Sequence, residues 1–179
     1  MSISDHIHRI RFWLAIFMSG LVLSGITAFP LERELRWLLA ALHAGPVQPG
    51  ATAIHLLQWI ERVSHALAAT NASYPFLAYG TDWLAFAHLV IAIAFIGPFI
   101  DPVRNKWIIT FGLITCAGVI PLAMIAGHAR GIPLGWRLID CSFGILGAAP
   151  LLMCRNSIRF LEQWTGAKPG WEPPLTDRV

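Results

Sequence analysis

The sequence predicts an all-α integral membrane protein: a four-transmembrane-helix bundle with two amphipathic interfacial helices on its outer side. Three observations carry this. Of the 179 residues, 56% are hydrophobic and only 13% are Asp, Glu, Lys or Arg. A water-soluble domain carries about 25% charged residues, so this chain lacks the charge to cover a soluble globule. Four apolar stretches are long enough to cross a hydrocarbon core of about 30 Å. The mean hydropathy is +0.61. The length fits a single membrane domain over residues 1–179.

The first span covers about residues 12–29 and carries no charge before Pro30. Its apolar stretch exceeds the 7–15 residues of a signal-peptide core, so it reads as a retained span. The second covers about 82–100 and stops at Asp101-Pro102, and the third covers about 107–126. The fourth covers about 134–154 and contains Arg137 and Asp140. A tail over 155–179 follows. Trp13, Trp83, Trp107 and Trp136 fall near span ends, where amphipathic rings prefer the headgroup level.

Between the first two spans lies an outer cap, residues 31–80. Leu31, Leu35, Leu38 and Leu42 recur at helical spacing, as do Leu56, Ile60, Val63 and Leu67. Each series predicts an amphipathic helix lying at the interface. Gly45, Pro46, Pro49 and Gly50 break the two apart.

Lys and Arg positions set the expected orientation. Arg9, Arg11, Arg104, Lys106, Arg155 and Arg159 fall on one side, with Lys168 and Arg178 in the tail. Arg33, Arg36, Arg62, Arg130 and Arg137 fall on the other. The bias of cytoplasmic loops toward basic residues places both termini in the cytoplasm, and we expect a bacterial inner membrane. The net charge of +3 is scattered rather than clustered on one face. That pattern argues against nucleic acid as a partner.

Small residues mark expected helix contacts: Gly20, Ser24 and Ala28 in the first span, Gly112 and Cys116 in the third, Gly144 and Ala148 in the fourth. Chemistry is expected where ionisable groups enter the spans, since a charge in hydrocarbon costs at least about 2.5–3.5 kcal/mol. Asp82, His88, His128, Arg130, Arg137 and Asp140 all fall toward the outer side. His88 and Asp140 each lie six residues inside a span, roughly 9 Å deep, so a contact between them is expected to be possible. His55, Glu61, Arg62 and His65 of the cap could join the group.

Two readings of the cluster stand. In one, Arg137 and Asp140 neutralise each other and His88 bonds a carbonyl or carboxylate, fixing helix register. In the other, the six residues line an outer-leaflet pocket for a lipid-like or small amphipathic ligand. The expected partners are the lipid bilayer, such a ligand and a further membrane subunit for which the chain would be an accessory. An enzyme using His88 and Asp140 as an acid–base pair is an alternative. A redox subunit holding haem or quinone is another, by analogy of architecture alone. His88 and His128 are poorly matched in depth as paired haem ligands, and no metal-binding spacing is present. Cys116, Cys141 and Cys154 read as small apolar residues within spans or at a span end.

Overall fold

A computed structural model describes residues 3–44 and 51–165. It is helical, with no strand among the described residues. Among the described residues seven α-helices follow one another: α1 (Ile3–Ala28), α2 (Leu31–Ala44), α3 (Ala51–Ser73), α4 (Tyr79–Ala94), α5 (Ile96–Ile100), α6 (Lys106–Ala129) and α7 (Leu134–Thr165). A 3-10 turn, Pro75–Ala78, leads into α4. Among the described residues four segments are long and apolar enough to cross a membrane: Ile3–Ala28, Pro75–Ile100, Lys106–Ala129 and Leu134–Trp164. The break expected at Gly45–Gly50 and the tail residues Lys168, Trp171 and Arg178 lie outside the described residues.

The segment bounds differ from the sequence reading in three ways. α1 already begins at Ile3, so His6 and His8 are helical. The second apolar segment starts at Pro75 rather than near Asp82, which sits within the first turn of α4. There its carboxylate complements the positive end of the helix dipole. α7 runs on to Thr165, well past Cys154. Its 32 residues make a rod of about 48 Å at 1.5 Å per residue.

The four long helices run up and down, with α1 at the centre. α1 packs against α4 on one side and α7 on the other, and α7 packs in turn against α6. α4 and α7 do not form a packed pair. One end of the bundle carries α2 and α3; at the other, α1 begins and α7 finishes. The core clusters near that second end: Ile10 and Leu14 of α1, Phe95, Ile109, and Leu151, Cys154, Ile158 and Leu161 of α7.

Close approach of helices depends on missing side chains. A Cβ on Gly144 would lie 2.5 Å from the Cys116 carbonyl oxygen, so α6 and α7 nearly touch there. One on Gly112 would meet Leu151 and Phe95, each at 2.7 Å. Both fit the expected packing positions. α1 differs. Gly20 has open space, and the tight point is Gly25, 2.9 Å from the Ala85 carbonyl oxygen. The stripe of Gly20, Ser24 and Ala28 is therefore not the close-approach face.

The connections explain the polar segments between the apolar ones. α4 ends at Phe95, whose amide is shared between the carbonyls of Ile91 and Ala92. Pro98 has no N–H to continue the ladder, so the chain re-registers as α5. Asn105 then donates from Nδ2 to the carbonyls of Gly97 and Asp101, and Asp101 Oδ1 accepts from the Arg104 amide. That network ties the turn before α6. At the end of α6, Gly131 adopts φ +68°. Its amide donates to the His128 carbonyl and the Ile132 amide to the Gly127 carbonyl. This is a Schellman stop, which favours glycine at the left-handed position.

Candidate functional site

The six residues expected to share a site are distributed over four places. Asp82 lines a cavity of about 440 Å³ at the α2–α3 end. Its walls come from the α1–α2 junction (Phe29, Pro30, Leu31, Glu32, Arg33, Arg36), from α3 (Leu67, Asn71) and from the start of α4 (Ala78, Thr81, Asp82). Small-molecule sites occupy about 300–1,000 Å³, so the size suits a ligand. Pro30 ends α1 and starts α2 within one turn: its carbonyl accepts the amides of Arg33 and Glu34. The sharp turn brings Glu32 over α3, where Asn71 Nδ2 donates to Glu32 Oε2 at 2.8 Å.

The cavity carries both signs of charge. Glu32 Oε1 lies 3.8 Å from Arg36 Nη2. Asn71 uses its amide nitrogen on Glu32, which leaves its oxygen turned elsewhere. That Oδ1 is buried and has no hydrogen-bond partner. A buried acceptor without a donor costs about 1–3 kcal/mol. The rotamer with the oxygen toward Glu32 would set two acceptors face to face. The cavity wall holds two carboxylates, two guanidinium groups and the Thr81 hydroxyl.

His88 lies elsewhere. It is half-buried on α4 against α1, with its Cβ 3.2 Å from where a Gly25 Cβ would stand. Its Nδ1 donates to the Leu84 carbonyl at 2.8 Å. Asp140 is half-buried on α7. No hydrogen bond or ion pair joins the two among the described residues, and α1 packs against both of their helices. The matched depth also shifts. His88 stands nine residues past the start of α4, Asp140 six past the start of α7.

Arg137 does not neutralise Asp140. Its Cγ and Cδ fill the notch left by Gly127, and its Nη1 donates to the Met124 carbonyl at 3.4 Å. The guanidinium thus sits at the carbonyl end of α6, where a cation is favoured by the helix dipole. Its buried Nε has no partner. His128 and Arg130 are exposed at the same end of α6. Neither enters the cavity, and α4 and α6 are not a packed pair, so His88 and His128 do not face each other as paired ligands.

Of the additional cap residues, Glu61 pairs with His43, whose Nε2 lies 3.0 Å from Glu61 Oε1. His55, Arg62 and His65 are exposed. The residues missed by sequence reasoning are Glu32, Arg33, Arg36, Asn71 and Thr81. The signal was present: a charged run directly after Pro30 cannot continue an apolar helix, so it must turn across the end of the bundle. Comparison with protein-family models, with curated proteins and with solved structures finds no match.

Proposed function

We propose that the chain is a small polytopic membrane protein, of the bacterial inner membrane, that binds a lipid-like or small amphipathic molecule in an outer-leaflet polar pocket. The pocket is the cavity between α1–α2, α3 and α4. The observation that carries the reading is a cavity lined by both arginines and carboxylates, with Asn71 in its wall. Arg33 and Arg36 suit an anionic group such as a phosphate. Asp82 and Glu32 suit a donor such as an ammonium. A zwitterionic headgroup satisfies both.

Membrane insertion is supported by the breadth of apolar exposure. Phe12, Leu23, Ile93, Phe111, Ile125, Phe143 and Leu146 are all exposed on the long helices. A water-facing surface of that kind would aggregate. Trp37 and Trp83 are exposed at one end and Trp107 and Trp164 at the other, as two interfacial belts would require. On α2, Leu38 and Leu42 are exposed beside Trp37. They give α2 an apolar face to lay on the bilayer as an amphipathic helix, with α3 packed against it. Arg9, Arg11, Arg104, Lys106, Arg155 and Arg159 lie where α1 begins and α7 finishes, which supports a cytoplasmic position for that end and an outer position for the cavity.

Two measurements test the reading. Dihexanoyl-phosphatidylethanolamine added to detergent-solubilised protein is expected to change the fluorescence of Trp37, next to Arg36, in a saturable way. The Arg33→Gln/Arg36→Gln double variant is expected to weaken that binding about tenfold, as loss of charge-assisted contacts implies. Equal binding by both proteins would remove the proposal. Separately, in spheroplasts, a cysteine introduced at Ser73 is expected to react with a membrane-impermeant maleimide, and one at Arg104 is expected to stay unlabelled. The reverse pattern would invert the topology.

A further inference from the structure

A second concavity lies between α1 and α5, away from the cavity above. It has a volume of about 690 Å³ and is lined by Ala15, Met18, Ser19, Val22, Leu23, Ile96 and Phe99. The five α1 residues follow helical spacing, so they form one continuous stripe about 12 Å long at 1.5 Å per residue. The groove lies beside the break at Phe95, where α4 gives way to α5. Arg11 lies four residues before Ala15, on the same stripe and nearer the basic end. It is not free to swing away: its Nε donates to the Phe99 carbonyl at 3.2 Å, and its guanidinium carbon stands 5.9 Å from the Phe99 ring centre. That contact fixes the cation at the mouth of the groove with its terminal N–H groups still to be used.

We propose that this groove is an inner-leaflet site for an anionic phospholipid, with an acyl chain along Met18, Val22, Leu23 and Phe99 and the phosphate on Arg11. Charge complementarity selects the occupant. An apolar channel that ends at a pinned arginine matches an acyl chain that ends at a phosphate, and a basic cytoplasmic end attracts anionic headgroups. The site shares the membrane reading with the preceding proposal but none of its residues, so the two fail separately.

The test is native mass spectrometry of full-length protein in non-ionic detergent, titrated with dioleoyl-phosphatidylglycerol or dioleoyl-phosphatidylcholine. Phosphatidylglycerol is expected to bind more tightly. Arg11→Gln is expected to lower its affinity about fivefold, the effect of one basic contact near a membrane surface. Arg11→Lys should recover most of it. Arg9→Gln should stay within twofold of the parent, because Arg9 contacts Met153 of α7 instead. Ser19→Phe, which fills the groove, should lower binding with Arg11 intact. Three results overturn the proposal: equal binding of the two lipids, an Arg9→Gln loss as large as that of Arg11→Gln, or no effect of Ser19→Phe. A dimer that Ser19→Phe abolishes would also overturn it, assigning the groove to a second copy.

Discussion

Alanine at Gly144 is expected to destabilise the bundle severely, and leucine there to prevent the folded state from accumulating. The added Cβ would stand 2.5 Å from the Cys116 carbonyl oxygen and 3.3 Å from Val119 Cβ. The first obstacle is backbone, so no rotamer change relieves it; α6 and α7 must move apart. Overpacking a tight site costs about 1–3 kcal/mol, occasionally more. A backbone obstacle puts Gly144→Ala at the top of that range. Separation would also disturb Gly147, whose Cβ position lies 3.1 Å from Cys116 Sγ, and the Arg137 stem seated against Gly127. The control is Gly20→Ala, where nothing lies within 4 Å. Removing a helical glycine there should be neutral or stabilising by about 0.5–1 kcal/mol. Thermal melts of the two variants in detergent, followed by circular dichroism, check the contrast. Similar melting temperatures would mean that α6 and α7 are not packed this closely.

That contrast also locates what could be read in advance. The apolar segments were legible because a helix long enough to cross lipid shows its length in the sequence without knowledge of its neighbours. Gly112 and Gly144 were legible because a helix pair joined by a short turn must pack on itself. Gly20, Ser24 and Ala28 misled, because small residues at four-residue spacing look alike whether a helix or solvent lies beyond them. Only the placement of α4 shows that Gly25 is the contact. Asp82 misled as a boundary, since an acidic residue is also welcome in the first turn of a helix. In one of the two sequence readings Arg137 pairs with Asp140, three residues away. Every helix end also offers carbonyl acceptors, and sequence gives no sign that Met124 supplies one. The cavity depends on three separate segments, so its Asp82 was legible as a polar position and its Glu32–Asn71 partnership was not.

The second large effect is expected at Phe95, the side chain that joins three helices. It is fully buried at the end of α4. Its ring lies 4.7 Å from the Phe17 ring of α1, and it meets the Cβ position of Gly112 on α6 at 2.7 Å. Phe→Ala in a water-soluble core costs about 3–5 kcal/mol. Part of that is transfer from water, which is small for a chain unfolded in lipid because the tails are as apolar as the core. What remains is the loss of packing contacts and the cavity, so Phe95→Ala is expected to cost about 3 kcal/mol. Gly112 supplies the internal check. Its obstacles are the tips of the Phe95 and Leu151 side chains rather than backbone. Gly112→Ala alone should be costly because both tips are buried, and less so in the Phe95→Ala background, where only Leu151 still stands at 2.7 Å. A double-mutant cycle measured by thermal melting should show a coupling of about 1–2 kcal/mol, within the range for residues in contact. Additive effects would mean that Phe95 does not occupy the space over Gly112, and the junction of α1, α4 and α6 would need another keystone.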